Sequence, residues 1–282
     1  MPSSIFDMSN PQDTGAPNER SHEFTVELNA SADDVWRALS EAAELIKWFA
    51  PEARVEPGEG GKIYLSWGPG MEGASEISAW KPGEHLGTRM PAGSPEAPRV
   101  QAVDYYIENR DGRTVLRLVH SGFSADAKFD DEFESTHHGW LTFLAMLRHA
   151  VEQKAGVPAA TCFQNIFVKV PRAAIWNRLT GPDGLNLESE KQEDGGSYRA
   201  RLLDREISGL FARMIPGKSF SLIVDEMEGS VLSFFCEKWQ QNGMLTVQAV
   251  LYGGMTSAKG TFDEVLTRFC DSLFPGEERM TF

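Results

Sequence analysis

The side chain best placed for acid–base or hydrogen-bonding chemistry is His120, at the end of a predicted strand from Thr114 to His120. Because successive side chains of a strand point to opposite faces, Leu116, Leu118 and His120 share one face, and the two leucines indicate that it is buried. An inward imidazole can hydrogen-bond a ligand carbonyl or hydroxyl, or act as a general base near neutral pH. A buried neutral histidine bonded to the backbone is the simpler alternative, so the role of His120 stays open.

A second group, Glu134-Ser-Thr-His137-His138, places a carboxylate and an imidazole on one helical face, as carboxylate metal sites do. A metal needs further inward ligands, and no Cys/His partner is evident beside this group, so a solvated helix start is the favoured interpretation. The templates for nucleophile elbows and P-loops are missing, the glycine-rich segments such as Gly68-Pro69-Gly70 are interpreted as turns between strands, and the second half of the chain contains no histidine. We therefore assign no catalytic residue, no metal and no other cofactor.

The elements that position these residues begin with a strand at Phe24–Leu28, a helix capped by Ser31 and a short helix from Glu41 to Lys47. An antiparallel meander follows, and then one long helix whose apolar face is expected to pack on the sheet. The predicted strands of the meander are Lys62–Trp67, Glu72–Trp80, Val100–Ile107 and Thr114–His120. The apolar face of the helix consists of Trp140, Phe143, Leu144, Leu147 and Val151.

The second half repeats this order. A strand runs into a helix that carries Trp36 and Leu39 in the first half and, 140 positions later, Trp176 and Leu179. Such a long-period repeat indicates two related domains, although the Pro-rich loop Pro91–Pro98 has no counterpart in the second. The predicted organisation is a disordered leader (1–21), a first domain (22–154), a linker (155–160), a second domain (161–275) and a C-terminal tail (276–282).

Composition narrows the classes of partner. The net charge of −14 leaves no basic stripe to replace phosphate counterions, so nucleic acid and anionic membrane surfaces are not expected partners. No run of about 20 apolar residues occurs, as a membrane helix would require. Three widely spaced cysteines, Cys162, Cys236 and Cys270, argue against a disulfide framework and favour a reducing cytoplasm.

A strand, a short helical pair, a meander and a long closing helix describe the helix-grip fold, and several motifs point to one family. Residues 22–154 resemble the homologues of the Hsp90 ATPase activator C-terminal domain, within the START and Bet v 1-like superfamily. The motifs are Ala30-Ser-Ala-Asp-Asp-Val-Trp-Arg-Ala-Leu39, Trp48-Phe-Ala-Pro51, Gly60-Gly61, Leu118-Val-His-Ser-Gly-Phe123 and Gly139-Trp140-Leu-Thr-Phe-Leu144. The second half resembles the superfamily through its pattern only. The expected fold is α+β, with tandem helix-grip domains, each an antiparallel sheet wrapped around a long C-terminal helix.

The resemblance also implies a cavity between the closing helix and the concave face of the sheet, which in this superfamily often holds a small apolar or amphipathic molecule. Ligand pockets are mostly apolar with few polar groups, so the large rings near His120 are candidates for its lining. Some of these rings must instead belong to the core. The predicted pocket residues are Trp48, Phe49, Trp67, Tyr105, Leu116, Leu118, His120, Phe123, Trp140, Phe143 and Leu144.

Three functions fit this interpretation. The first is a non-catalytic binding protein whose first domain encloses a small hydrophobic molecule, with His120 as a polar anchor. The second is a cyclase- or hydratase-like enzyme that uses His120 and Tyr105 as acid–base groups. The third is a chaperone partner similar to Hsp90 activators, a weaker inference because those proteins join this domain to a different N-terminal domain. A homodimer formed through the second domains is a further hypothesis.

Overall fold

The chain folds into two antiparallel sheets with helices, and the predicted α+β class with tandem helix-grip domains is confirmed. The computed structural model describes residues 6–7, 19–68, 70–94, 97–110, 113–239 and 241–278. The chain divides into two compact units. The first unit comprises residues up to 137 and 147–155, and the second unit comprises 138–146 and 156–282.

The first sheet has eight described strands in the order β1-β2-β8-β7-β6-β5-β4-β3, so the first long strand lies beside the last. The strands are β1 Phe6–Asp7, β2 Glu19–Leu28, β3 Glu52–Glu56, β4 Lys62–Ser66, β5 Glu72–Lys81, β6 His85–Ser94, β7 Ala97–Arg110 and β8 Arg113–Ser124. The helices are α1 Ala32–Ser40, α2 Ala42–Leu45 and α3 Asp130–Gln153, with a 3-10 turn at Ala127–Phe129. This arrangement joins β2 to β8 and brings the strand that contains His120 to the middle of the sheet.

The predicted leader and Pro-rich loop differ from the structure. Strand β2 begins at Glu19, inside the predicted leader, and Phe6–Asp7 pairs with it; residues 1–5 and 8–18 lie outside the described chain. The Pro91–Pro98 segment belongs to a hairpin that pairs from His85↔Tyr106 to Ser94↔Ala97, with 95–96 outside the described residues. Prolines are tolerated here because β5 pairs with β6 only as far as Arg89, which leaves the end of the hairpin without a third strand.

The second sheet has six described strands in the order β10-β11-β12-β13-β14-β9. The strands are β9 Ala159–Val168, β10 Ser197–Leu202, β11 Arg205–Ile215, β12 Ser219–Val224, β13 Ser230–Trp239 and β14 Asn242–Tyr252. The helices are α4 Arg172–Thr180 and α5 Lys259–Leu273, with 3-10 turns at Asp225–Met227, Gly253–Ala258 and Gly276–Glu278. Strand β9 takes up the last two residues of the predicted linker.

The ends of α1 and α4 show how local sequence positions the elements. Ser31 caps α1 by accepting a hydrogen bond from the Asp34 amide at 3.1 Å, as the sequence predicts. The C-terminal carbonyl of Ala38 in α1 accepts a hydrogen bond from Nε1 of Trp48 at 2.9 Å, whereas Leu179 in α4 is capped by the amide of Leu185 at 2.7 Å. No helix in the described residues is long and apolar enough to cross a membrane.

Candidate functional site

The centre of the candidate site is a pair of histidines on neighbouring strands of the first unit. Antiparallel pairing of β2 with β8 places His22 directly opposite His120. On β2 the buried residues alternate as His22, Phe24 and Val26, which places His22 on the inner face of the sheet. Leu118 is fully buried two residues before His120, so the predicted inward position of His120 agrees with the burial pattern of β8.

Burial controls the protonation of His120. Its Nε2 atom is buried, and desolvation, together with the nearby imidazole of His22, lowers the pKa of His120 to about 3. His120 is therefore neutral at pH 7. On the adjacent strand β7, burial raises the pKa of Tyr105, which pairs with Leu118, above its ordinary value. Both groups are thus uncharged hydrogen-bonding groups at neutral pH.

A bulge in β8 brings Phe123 to the same place. His120 and Phe123 are three residues apart, and a strict alternation would put them on opposite faces. Their partners on β2, His22 and Arg20, are only two residues apart, so β8 carries one extra residue in this stretch. Gly122 lies in it at a φ of +87°, and the rings of His120 and Phe123 meet edge to face at 4.5 Å.

The start of α3 covers His22. The ring of Phe133 stacks on His22 at 3.7 Å, and Nε2 of His22 lies 2.9 Å from the Phe133 carbonyl, to which it donates because a carbonyl only accepts. The ring of His137 is 5.2 Å from that of His22. We call His22, His120, Phe123, Phe133 and His137 the histidine cluster. Sequence reasoning missed His22, although its alternation with Phe24 and Val26 was available as a signal.

Arg20 ties the start of α3 to the edge of the cluster. Its guanidinium lies over the Phe133 ring at 4.3 Å and forms an ion pair with Asp130 at 2.7 Å. Its Nε donates to the Ser124 carbonyl at 2.9 Å. These contacts join the first turns of α3 to one end of the β2–β8 pair, where β2 begins and β8 ends. The described residues contain no group of three or more His, Cys, Asp or Glu side chains able to hold a metal, and Glu134 is exposed.

The other predicted pocket residues fall into two further groups. Trp48 is fully buried and stacks on Phe49 at 4.8 Å, and Phe49 meets Trp67 edge to face at 5.3 Å. Because the indole of Trp48 also caps α1, this residue has a structural role in the first unit. Trp140, Phe143 and Leu144 belong to the second unit, where Phe143 contacts Phe235 at 5.4 Å. The structure therefore brings together part of the predicted set, around the histidine cluster.

Comparison with known proteins finds a family model that matches part of the first half. Residues 29–152 match the family model described as activator of Hsp90 ATPase homolog 1-like protein. This stretch of the chain is similar to that family. The comparison with curated proteins finds no match.

Several solved structures are similar to the chain. The Aha1 dimer from Colwellia psychrerythraea is 19% identical, with 48% of this chain and 98% of that chain covered and a TM-score of 0.43. The di-domain ARO/CYC protein BexL from the BE-7585A biosynthetic pathway is 13% identical, with 90% and 93% covered and a TM-score of 0.43. DynU16, from the dynemicin biosynthetic locus, is 15% identical, with 90% and 96% covered and a TM-score of 0.41.

Proposed function

We propose that the first unit binds a small apolar or amphipathic molecule without catalysis, and that an imidazole of the histidine cluster anchors its polar group. The observation that carries the proposal is the placement of His22 directly opposite His120 on an inner sheet face, beside the buried apolar residues Phe24 and Leu118. A few polar groups set into an apolar lining are the usual composition of a small-molecule site.

The chemistry of the pair favours binding over acid–base catalysis. A neutral imidazole offers one donor and one acceptor, which suits a ligand hydroxyl or carbonyl. A general base works best when its pKa lies near the working pH, and the pKa of His120 is about 3. The cyclase- or hydratase-like alternative, with His120 and Tyr105 as acid–base groups, is therefore the second candidate.

A chaperone-partner role is the third candidate, and its support is the similarity of residues 29–152 to that family model. Addition of the full chain to Hsp90 from the same host, with the ATPase rate as readout, tests this candidate directly.

A homodimer formed through the second domains is a further proposal. Light scattering on the full chain measures the oligomeric state and tests it. A reducing, cytoplasmic location is proposed from the three cysteines, which are buried thiols rather than disulfides.

Native mass spectrometry of the full chain purified from its own host tests the binding proposal. We expect an additional mass of a few hundred daltons that is lost on organic extraction. The extracted compound is then titrated into ligand-free protein by calorimetry. His120→Leu removes the polar group and keeps the apolar bulk, so its affinity should fall about tenfold, the effect of one lost hydrogen bond to a buried group.

The matched control is His85→Gln, a histidine of β6 that is paired with Asp104 at 2.8 Å and lies away from the cluster. This variant should bind with unchanged affinity. Protein that carries no additional mass and binds nothing from a host extract contradicts the proposal. Equal affinity of wild type and His120→Leu would leave a binding protein but remove the anchor role.

A further inference from the structure

The interior of the second unit is filled by aromatic rings. Phe220 stacks on Phe234 at 4.9 Å, Phe234 meets Phe269 of α5 at 6.2 Å, and Trp176 meets Phe220 edge to face at 5.5 Å. Phe220, Phe234 and Phe269 are each at most 1% exposed. The space between α5 and the middle of this sheet is therefore occupied by the protein's own side chains.

A cavity remains at the edge of this packed interior. Its volume is about 230 Å³, and its walls are the β10–β11 hairpin, the 3-10 turns at Asp225–Met227 and Gly253–Ala258, and the first turns of α5. All of its lining residues belong to the second unit. The apolar side chains of the lining are Leu202, Ile207, Met227, Met255, Ala258, Phe262 and Val265.

The walls of the cavity are held in place by specific contacts. The carboxylate of Glu228, which follows the first 3-10 turn, accepts a hydrogen bond from the Gly254 amide of the second turn at 3.1 Å. The hairpin turn between Leu202 and Arg205 has Leu203 at a φ of +58°, a backbone conformation that costs a non-glycine residue about 1–2 kcal/mol. Strained backbone of this kind is concentrated at ligand clamps, and a preformed cavity loses little entropy when it is filled.

The lining indicates the chemistry of an occupant. An apolar cavity of about 150 Å³ already holds benzene, so about 230 Å³ suits a fused bicyclic ring. Met227 and Met255 present flexible, polarisable thioethers, which contact aromatic rings favourably. At the rim, Arg205 is accompanied by Glu206 and Glu226, a net charge of −1 that disfavours an anionic ligand.

We propose that this cavity is a binding site for a small neutral aromatic molecule of about ten non-hydrogen atoms. The site is separate from the histidine cluster, so this proposal does not depend on whether the first unit binds a ligand. The second half of the chain thus has a ligand-binding role, which the sequence did not indicate because it contains no histidine and no cluster of aromatic motifs.

The test is a titration of the full chain, labelled with ¹³C at the methionine methyl groups, with indole as the probe. The signals of Met227 and Met255 are assigned from Met227→Leu and Met255→Leu. Both signals should shift saturably at about 1 mM indole or less, while the anionic analogue indole-3-carboxylate should bind at least tenfold more weakly. Signals that stay unshifted, or shifts confined to the other methionines, overturn the proposal.

A filled-cavity variant gives the second readout. Ala258→Phe places a ring in the cavity and should weaken indole binding at least tenfold, whereas Ser257→Phe, at the exposed neighbouring position, should leave it unchanged. Equal binding by the folded Ala258→Phe protein and wild type contradicts the assigned location. If Ala258→Phe does not fold, the shifts of Met227 and Met255 in the wild-type chain decide the question.

Discussion

The two units have related secondary structure, but the side chains in their interiors differ in chemistry. The inner face of the first sheet carries two opposed imidazoles, His22 and His120, beside Phe123. The hydrophobic core cluster of the second is apolar and aromatic, with Phe220, Phe234 and Phe269 packed ring against ring. A polar group on an inner face costs desolvation, so it adds less to stability than an apolar side chain of the same size. The comparison predicts that substitutions in the second interior act on stability, whereas those at the histidine pair act on binding and pH response.

The largest effect is expected from Phe234→Ala. This side chain is fully buried and contacts rings on both sides, so its loss should leave a cavity and lower the free energy of unfolding by about 3–5 kcal/mol. Chemical denaturation followed by circular dichroism measures the change. Leu210→Ala, at a position of the same sheet that is 47% exposed, is the matched control and should change stability by less than about 0.5 kcal/mol. Equal effects at the two positions would break the comparison.

The next effect concerns pH. In the folded chain His120 binds a proton only near pH 3, whereas an exposed histidine does so near pH 6.5. Between these values the unfolded chain holds more protons, so stability rises with pH in this window and is lost as the pH falls. We expect His120 to account for a loss on the order of 3 kcal/mol between pH 7 and pH 4.5. Denaturation at a series of pH values should show a smaller loss for His120→Leu.

The control for the pH series is His85→Gln, in the same sheet but outside the histidine cluster. It should keep most of the wild-type slope between pH 7 and pH 4.5. An unchanged slope in His120→Leu would mean that His120 is protonated normally in the folded chain. The second unit contains no histidine in its strands or in α5, so the difference between the variants reports on the first unit alone.

A third effect tests how Phe123 reaches His120. A Cβ on Gly122 would lie 2.0 Å from the Val100 carbonyl oxygen, and the φ of +87° is itself unfavourable for other residues. Gly122→Ala should therefore lower the free energy of unfolding by about 2 kcal/mol or more. Gly58→Ala, at a φ of +106° with open space around the added carbon, should cost only about 1 kcal/mol. A smaller cost at Gly122 than at Gly58 would show that β8 can do without this bulge.

The sequence predicts individual strands and helices better than it predicts which distant strands pair with each other. Strand periodicity places Leu116, Leu118 and His120 on one face, because that information is local. Trp80 could not be placed from the sequence because the register of β5 shifts between Ile77 and Ala79, which interrupts the period of two. The opposition of His22 to His120 depends on the pairing of two strands almost 100 residues apart.

The long helix shows the same limit. Helical spacing predicts that Trp140, Phe143 and Leu144 are apolar contacts, but spacing does not tell which surface they meet. The structure groups residues 138–146 with the second unit, where Thr142 Oγ1 lies 2.9 Å from Ser219 Oγ. A single hydrogen bond between two hydroxyl groups leaves no periodic signal in the sequence. The sequence therefore could not tell that residues 138–146 group with the second unit, whereas the prediction placed the whole apolar face on the first sheet.

The smallest effect concerns the ends of corresponding helices. The buried indole of Trp48 donates to the Ala38 carbonyl at the end of α1, whereas a backbone amide does this for α4. Trp48→Phe keeps an aromatic ring but leaves that carbonyl without its donor, so the free energy of unfolding should fall by about 1–2 kcal/mol. Trp36→Phe, which retains a ring against Trp80, is the control and should cost less. If the two variants lower the free energy of unfolding by the same amount, the hydrogen bond of Trp48 contributes little to stability. The effect of Trp48→Phe is then explained by lost packing of the ring alone.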